Sequence, residues 1–380
     1  VEFRPSDEHL AFQKTVRDFA LGEVAPHVAE WDRDGRLPVE IVHAMGDLGL
    51  FGLPFPEEWG GGGGDFLSVC LAIEEIGRVD QSVGITLSAG LGLGATPIFR
   101  FGTDEQRGRW LPDLVAGRAL AAFGLTEPDA GSDASATRTR ATEAGDDWVL
   151  NGAKAFITNS GTPITSLVTV TAKIEDGGIS SFIVPAGTPG LTVLPAPHKL
   201  GWHASDTHDL ALDNCHVPRD CLLGEPGHGY KNFLSILDSG RIAIASLAVG
   251  CAQACLDHAL DYAKQRNAFG GPIGRFQAVA FSLADLAVSV ENARTLTYKA
   301  AWCRDTGQPF RQEAAMAKLY ATEAAVSATR VATQVFGGAG FMEESPVARL
   351  YRDAKILEIG EGTSEIQRLV IARGLGLPVG

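Results

Sequence analysis

A mainly α-helical chain with a β-rich insert is what the sequence predicts, and three observations carry that expectation. Through the first third, apolar residues recur at helical spacing. From about Ala119 to Pro226 they shift into short runs punctuated by Gly, Pro, Asn and Asp, the pattern of brief strands. From Tyr230 onward the helical period returns in long stretches. A chain of 380 residues exceeds one small core. The expected regions are therefore 1–118, helical; 119–226, a small β-barrel or sandwich; and 227–380, a helical bundle.

Taken in order, Ser6-Asp7-Glu8 predicts a helix start with an acidic first turn, followed by Leu10, Val16, Phe19 and Ala20 at helical spacing. A second helix is expected from Pro38, then a loop through Pro54-Phe55-Pro56 and the Gly60–Gly64 run. That run lacks a following Lys-Ser/Thr and a strand immediately before it, so it reads as a flexible loop rather than a phosphate cradle. Phe66, Val69, Cys70, Ile73 and Ile76 mark an amphipathic helix, and another covers about Asp104 to Val115. In the β region, Asn151-Gly152 reads as a turn after a β-rich run. Leu167–Thr171, Ser181–Val184 and Asp209–Leu212 read as strands. Long helices follow from Phe276 to Leu296, around Ala314–Val335 and around Ile366–Arg373. Their short connections suggest a bundle.

The net charge of −14 argues against a nucleic-acid surface and weakly against an anionic membrane. No apolar run is expected to reach membrane-spanning length, since Gly or charge interrupts each. Val1-Glu2-Phe3-Arg4-Pro5 lacks the apolar stretch of a signal peptide. The six cysteines fall at no disulfide-like or zinc-like spacing, and Cys251 with Cys255 read as small core residues, which suggests a reduced, cytoplasmic protein. No Gly-x-Gly-x-x-Gly follows a strand, and His-Glu-x-x-His, Cys-x-x-Cys and Gly-x-Ser-x-Gly are absent. Dinucleotide-fold, metal and serine-hydrolase chemistry are therefore not indicated, and no metal ligand is nominated.

Five segments remain whose composition suggests chemistry. Phe123-Gly124-Leu125-Thr126-Glu127-Pro128, with Gly131-Ser132-Asp133, offers strand-edge backbone and hydroxyls to a polar ring and a phosphate. Lys154-Ala155-Phe156-Ile157-Thr158-Asn159 places an aromatic and a hydroxyl on one face of a strand. Arg266-Asn267-Ala268-Phe269-Gly270, before Phe276-Gln277, offers a guanidinium and an amide to a pyrophosphate; the alternative is a helix ending at Gly270 with a basic last turn. Gln334-Val335-Phe336-Gly337-Gly338-Ala339-Gly340 either lets backbone approach a ligand or caps a helix. In Ile359-Gly360-Glu361-Gly362-Thr363-Ser364-Glu365-Ile366-Gln367, a carboxylate lies between two glycines before a Ser364/Gln367 capping pair. It is either a base aimed into a cavity or an exposed loop residue.

Together and in this order, these segments resemble the acyl-CoA dehydrogenase family across essentially the whole chain. The resemblance implies an N-terminal helical domain, a middle β-domain and a C-terminal four-helix bundle. It implies FAD lying against Phe123, Leu125, Thr126, Phe156 and Thr158, with Thr158 facing N5 and Gly131 and Ser132 at the pyrophosphate. Arg266, Phe269, Gln277, Gln334, Gly337 and Gly338 would reach a neighbouring subunit's FAD, implying an oligomer, expected to be a homotetramer. Thr363 and Glu365 would complete the cofactor site. Glu361 would remove the α-proton of an acyl-CoA thioester while the β-hydride passes to the flavin. The thioester oxygen would be held by the base residue's own N–H. Ser132, Asp238, Arg241 and Gly362 would contact substrate, and electrons would pass to an electron-transfer flavoprotein.

Some family members carry the base just before the Arg corresponding to Arg241; here that residue is Gly240, which leaves Glu361 as the base. Phe156 stands where many relatives have Trp. The alternatives on the same fold are an oxygen-using oxidase or flavin monooxygenase, and a dehydrogenase acting on an acyl carrier protein thioester. A retired binding protein fits poorly with the presence of Glu361. Residues near Leu87–Leu93, small and aliphatic, are expected beside the acyl chain and suit an uncharged one, short to medium or branched.

Overall fold

In the computed structural model, residues 5–175 and 178–379 are described; the segment 1–4, on which the signal-peptide expectation falls, lies outside them. The first helix, α1 (Asp7–Phe19), begins where the sequence places it. Ser6 accepts a hydrogen bond from the His9 amide, and the His9 ring accepts one from the Ser6 amide. Next come α2 (Val28–Asp34), α3 (Val39–Asp47) after Pro38, and α4 (Phe66–Val79), which is capped by Asp65 accepting from the Ser68 amide at 2.9 Å. Contrary to the one-sided amphipathic helix expected, α4 is buried almost all round, Glu74 and Glu75 included. Those carboxylates are tolerated because each is paired. Glu75 takes two hydrogen bonds from Arg17, and Glu74 takes them from Arg294 and the Tyr298 hydroxyl.

A helical stretch that the sequence pattern does not show follows: α5 (Gln81–Ala89), a π-helical turn at Gly90–Ala95, and α6 (Thr96–Phe101). The N-terminal region closes with α7 (Asp104–Val115), started by a Thr103/Gln106 capping box.

The β region comprises β1 (Leu120–Gly124), β2 (Arg140–Ala144), β3 (Asp147–Thr158), β4 (Thr165–Lys173), β5 (Ile179–Pro185), β6 (Leu191–Val193), β7 (Thr207–Pro218) and β8 (Leu222–Leu223). Strand order is β6-β7-β3-β2-β4-β5-β8, and β1 pairs in parallel with β4. Because β4 meets β2 only at Lys173 but runs along β5 and β1, the sheet splits there. Leu150, Val170, Phe182 and Leu210, from four strands, share one core. The Asn151-Gly152 turn expected from sequence is instead an irregularity inside the long strand β3. A Cβ at Gly152 would come within 2.7 Å of the Thr139 backbone, so only glycine permits that crossing.

The C-terminal region is the expected bundle: α8 (Gly229–Gln265), α9 (Gln277–Asp305), α10 (Arg311–Phe336) and α12 (Ser364–Gly374), with the short α11 (Pro346–Ala354) against α8 and α10. Between α8 and α9 lies a hairpin of β9 (Asn267–Ala268) and β10 (Gly271–Pro272). On α10, Ala314, Ala317, Ala321, Ala325, Ala328 and Ala332 are all fully buried, a stripe of small residues. Gly250 brings α8 so close to α4 that a Cβ there would lie 2.4 Å from the Glu74 carbonyl oxygen.

Two stretches, Gln81–Phe101 and Gly229–Gln265, are long and apolar enough by length and composition to cross a membrane, which corrects the expectation that no apolar run is. Both are largely buried inside the protein, 78% and 72% of their apolar windows, as core helices are. All six cysteines are buried and unpaired.

Candidate active site at the first turns of α8

Glu361 lies between a 3-10 turn (Lys355–Glu358) and α12. Its φ of 53° is left-handed, a conformation that a non-glycine residue adopts at a cost and that clusters at functional sites. Gly362 follows at φ 95°. The helix cap is Thr363, whose hydroxyl accepts from the Ile366 amide, and not the Ser364/Gln367 pair expected from sequence. Ser364 is instead a buried first-turn residue. The Gln367 amide reaches back to the Gly362 carbonyl at 2.7 Å. Glu365, in the same turn, is exposed, and its carboxyl is held below the usual range by its own backbone amide and the Thr363 hydroxyl.

Part of the Glu361 side chain reaches the surface of the cleft, but Oε2 is sealed from solvent and has no hydrogen-bond partner among the described residues. It fills the space beside Gly240, where an added Cβ would lie 1.8 Å from Oε2. Burial pushes the carboxyl up to about 7, against the opposing pull of Lys318 and Arg241. A carboxyl balanced near neutrality is what proton abstraction needs. The Glu361 amide N–H takes no acceptor among the described residues, leaving a donor beside its own carboxylate. The Gly362 carbonyl, in contrast, is already taken by the Lys318 ammonium at 2.7 Å and by Gln367.

On α8, Arg241 is buried and donates from Nη1 to Asp238 at 2.5 Å, while its Nε has no partner among the described residues. One turn earlier the same helix face meets the β region. Tyr230, Phe233 and Leu237 pack on Phe123, Leu125 and Ala134, and Phe123 stacks on Phe233 at 4.0 Å between centroids. Residues 230, 233, 237 and 240 fall at helical spacing, so one face of α8 carries both this aromatic contact and the Glu361 carboxylate. The rise from Leu237 to Gly240 is only about 4.5 Å.

The segment after β1 and the end of β3 are brought side by side, with the Ala155 amide donating to the Thr126 carbonyl at 2.9 Å. A buried ion pair fixes them. Glu127 accepts from Lys154 Nζ at 2.8 Å and from the Arg138 and Thr139 amides. Simple strand alternation fails at Phe156, which sits at φ 61° in an irregularity of the β3–β7 register. The result is a Phe156 side chain that is 70% exposed, followed by a buried Ile157 and a half-buried Thr158. Gly131 and Ser132 are exposed, and nothing lies within 4 Å of where a Gly131 Cβ would be. An uncovered aromatic, a half-buried hydroxyl two residues on and open glycine backbone in the neighbouring segment suit a planar ring followed by a phosphate.

The remaining cofactor candidates lie elsewhere. Helix α8 ends at Gln265, not at Gly270, and the chain turns through the hairpin with Phe269 at φ 52° and Gly270 at φ 86°. Two successive left-handed residues make the tight hairpin turn that leaves Phe269 91% exposed. Arg266 and Gln277 are exposed beside it, and Gln334, Gly337 and Gly338 are exposed at the end of α10. Stacking of Tyr262 on Phe336 at 4.2 Å joins the two groups. From Gly240 to Gln265 the helix rises about 37 Å. The structure therefore gathers the predicted residues into two sets at opposite ends of α8.

Lys318 and the Glu127–Lys154 pair were not nominated from sequence. Lys318 interrupts the alanine stripe of α10, and only its burial in the structure sets it apart from a solvated lysine.

The chain matches the family descriptions "Acyl-CoA dehydrogenase, N-terminal domain" over residues 6–118, "middle domain" over 122–215 and "C-terminal domain" over 227–376. It is 50% identical to the probable acyl-CoA dehydrogenase YngJ of Bacillus subtilis (strain 168), over 99% of this chain and 100% of that protein. The solved butyryl-CoA dehydrogenase of Megasphaera elsdenii is 44% identical with a TM-score of 0.95, covering 99% of this chain and 100% of the other. A chain from a structure described as the electron transferring flavoprotein of Acidaminococcus fermentans is 42% identical with a TM-score of 0.96, covering 99% of both. These matches show that the chain belongs to the acyl-CoA dehydrogenase family of FAD-dependent oxidoreductases.

Proposed function

We propose that this protein dehydrogenates a short-chain acyl-CoA between Cα and Cβ, with Glu361 as the base. One observation carries the reading. Glu361 places a carboxylate with one sealed, unpartnered oxygen, balanced near pH 7, on the same face of α8 that meets the Phe123–Leu125 segment. FAD, when bound, supplies the acceptor for the β-hydride. Phe123, Leu125, Thr126, Phe156 and Thr158 would seat its ring, Gly131 and Ser132 its phosphates, with Thr363 and Glu365 beside them. Glu361 takes the α-proton, and its free N–H stabilises the thioester oxygen as charge develops there, worth about 3 kcal/mol for a well-placed donor. Asp238 and Arg241 orient the CoA portion, and the Gly362 turn shapes the base's approach.

The butyryl-CoA dehydrogenase at 44% identity supports a short acyl chain. The wall expected to face that chain, Leu87 to Leu93, contains no charged residue, in keeping with an uncharged acyl group. An electron-transfer flavoprotein as acceptor is supported by the neighbour described with one. The second residue set, about 37 Å along α8 from Gly240, cannot reach the same FAD within one chain. Arg266, Phe269, Gln277, Gln334, Gly337 and Gly338 therefore suit a neighbouring subunit's FAD, in a homotetramer.

Anaerobic titration of the FAD-loaded protein with butyryl-CoA tests the reading. Bleaching of the flavin absorbance, restored by an electron-transfer flavoprotein but only slowly by oxygen, is expected. A flavin that stays oxidised with every acyl-CoA would overturn it. Rapid return of colour with oxygen alone would replace the dehydrogenase by an oxidase.

A further inference from the structure

Lys318 has 0% exposure in the alanine stripe of α10, a place where a charge carries a large desolvation cost unless something compensates it. Among the described residues its one hydrogen-bond acceptor is a neutral carbonyl, that of Gly362, at 2.7 Å. It makes no ion pair within 4 Å among the described residues. Burial lowers the ammonium to about 8, and the largest opposing influence is Glu361, followed on the same side by Glu358 and Glu365, with Arg241 acting the other way. The other cation near Glu361 is committed elsewhere, since Arg241 is paired with Asp238, which Arg311 also approaches at 3.7 Å. The charge on Lys318 is thus the uncommitted one. The carbonyl it grips belongs to the residue after the base, in a turn where Glu361 and Gly362 are both left-handed and where Gln367 holds the same oxygen.

We propose that Lys318 is a positioning residue for the base: its ammonium holds the Glu361–Gly362 turn by the Gly362 carbonyl and supplies the uncommitted positive charge that supports the Glu361 carboxylate. The proposal rests on Glu361 being the base. A positive charge near a carboxyl lowers its pKa, so removing Lys318 raises that of Glu361, and proton abstraction then needs a higher pH. The charged groups acting on the carboxyl are Lys318 on α10 and Arg241 on α8; Asp238 pairs with Arg241, and Glu358 before the turn and Glu365 after it act on Lys318. Of these only Lys318 both bonds the turn and carries an unpaired charge toward it.

The test compares wild type, Lys318→Met, Lys318→Gln and Lys318→Arg as FAD-loaded proteins, using the acid limb of kcat/KM with butyryl-CoA. The Glu361 carboxyl is titrated separately by infrared difference against Glu361→Gln, in FAD-free and FAD-loaded protein. In Lys318→Met both readouts should move up by about one to three pH units. Lys318→Gln keeps a donor for Gly362 but not the charge, and should show the same shift with a smaller loss at high pH. Lys318→Arg should restore most of the wild-type profile. If Lys318→Met does not accumulate as holoprotein, the Gln and Arg variants carry the test. Profiles and titrations that overlay wild type, or activity lowered equally at every pH, would overturn the role of Lys318. Normal turnover by Glu361→Gln would instead remove the reading on which the proposal stands.

Discussion

Near its start α8 is packed and charged, with Gly240 against the Glu361 carboxylate, Arg241 buried on Asp238 and Phe233 under Phe123. At its far end the same helix gives way to an exposed hairpin with Phe269 uncovered, and to the exposed Gln334 and Gly337 of α10. The near end is complete within one chain: each charge has a partner or an opposing charge, and the strained turn at Glu361 is held by two donors to one carbonyl. The far end has no such closure; its glycines and aromatic lie open. On the proposed reading, the end with the Glu361 carboxylate serves chemistry and the exposed end serves assembly. Substitutions at the two ends should fail in different ways.

The sharpest break in that comparison is expected at Gly240. Gly240→Val puts a branched side chain where Glu361 Oε2 now lies, so the carboxylate must leave its place. Because general-base catalysis contributes about 10²–10⁴-fold, kcat should fall by about 10² or more while FAD content and oligomer size stay normal. Near-normal turnover would show that the carboxylate acts from another position. At the opposite end, Arg266→Ala should leave the Glu361 turn intact but weaken FAD retention and subunit association together. Gel filtration with the ratio of flavin to protein absorbance reads both. Loss of turnover from a fully loaded, normally sized protein would contradict the division of labour.

The smallest effect concerns stability. Glu361 has its folded pKa raised from 4.5 to about 7, so its contribution favours the folded state at low pH and is lost as pH rises to about 7. Glu361→Gln escapes that loss. At pH 8 it should be more stable than wild type by about 2–3 kcal/mol, with the difference shrinking toward pH 4.5. Denaturant titrations of the FAD-free proteins at both pH values would measure it. A difference independent of pH would mean that the carboxyl is not desolvated.

How much of this was legible in the sequence depends on whether local signals or tertiary contacts decide each element. Ser6, Asp65 and Thr103 cap their helices as short-range chemistry requires, and the periodic stretches of α4, α7, α9 and α10 stand out. The stretch Gln81–Phe101 does not, because Gly84, Gly90, Gly92 and Gly94 give it poor intrinsic helix propensity. Close packing imposes the helix there: a Cβ at Gly90 would collide with the Phe51 ring at 2.6 Å. Asn151-Gly152 carries a hairpin's composition but serves a strand crossing over Thr139. Arg266–Gly270 looks like a helix end but forms a hairpin, since Ala268 and Gly271 pair.

For the site, motif order nominated Glu361 and the segments around Phe123 and Phe156. The left-handed backbone at Phe156 and Glu361 was not readable, nor was the contact of the Glu361 carboxylate with Gly240. Both follow from how the chain closes on itself rather than from spacing. Lys318 was missed because a lone Lys in an Ala-rich helix reads as a solvated residue until its neighbours at 314, 317 and 321 prove buried.

Glu361 as the base is tested most directly by anaerobic rapid mixing of FAD-loaded wild type and Glu361→Gln with butyryl-CoA, following flavin absorbance in a single turnover. Wild type should bleach, while Glu361→Gln should bind the ligand, seen as a perturbed flavin spectrum, and stay oxidised or bleach at least about 10²-fold more slowly. Bleaching of Glu361→Gln at the wild-type rate would contradict the assignment and move the base to another residue.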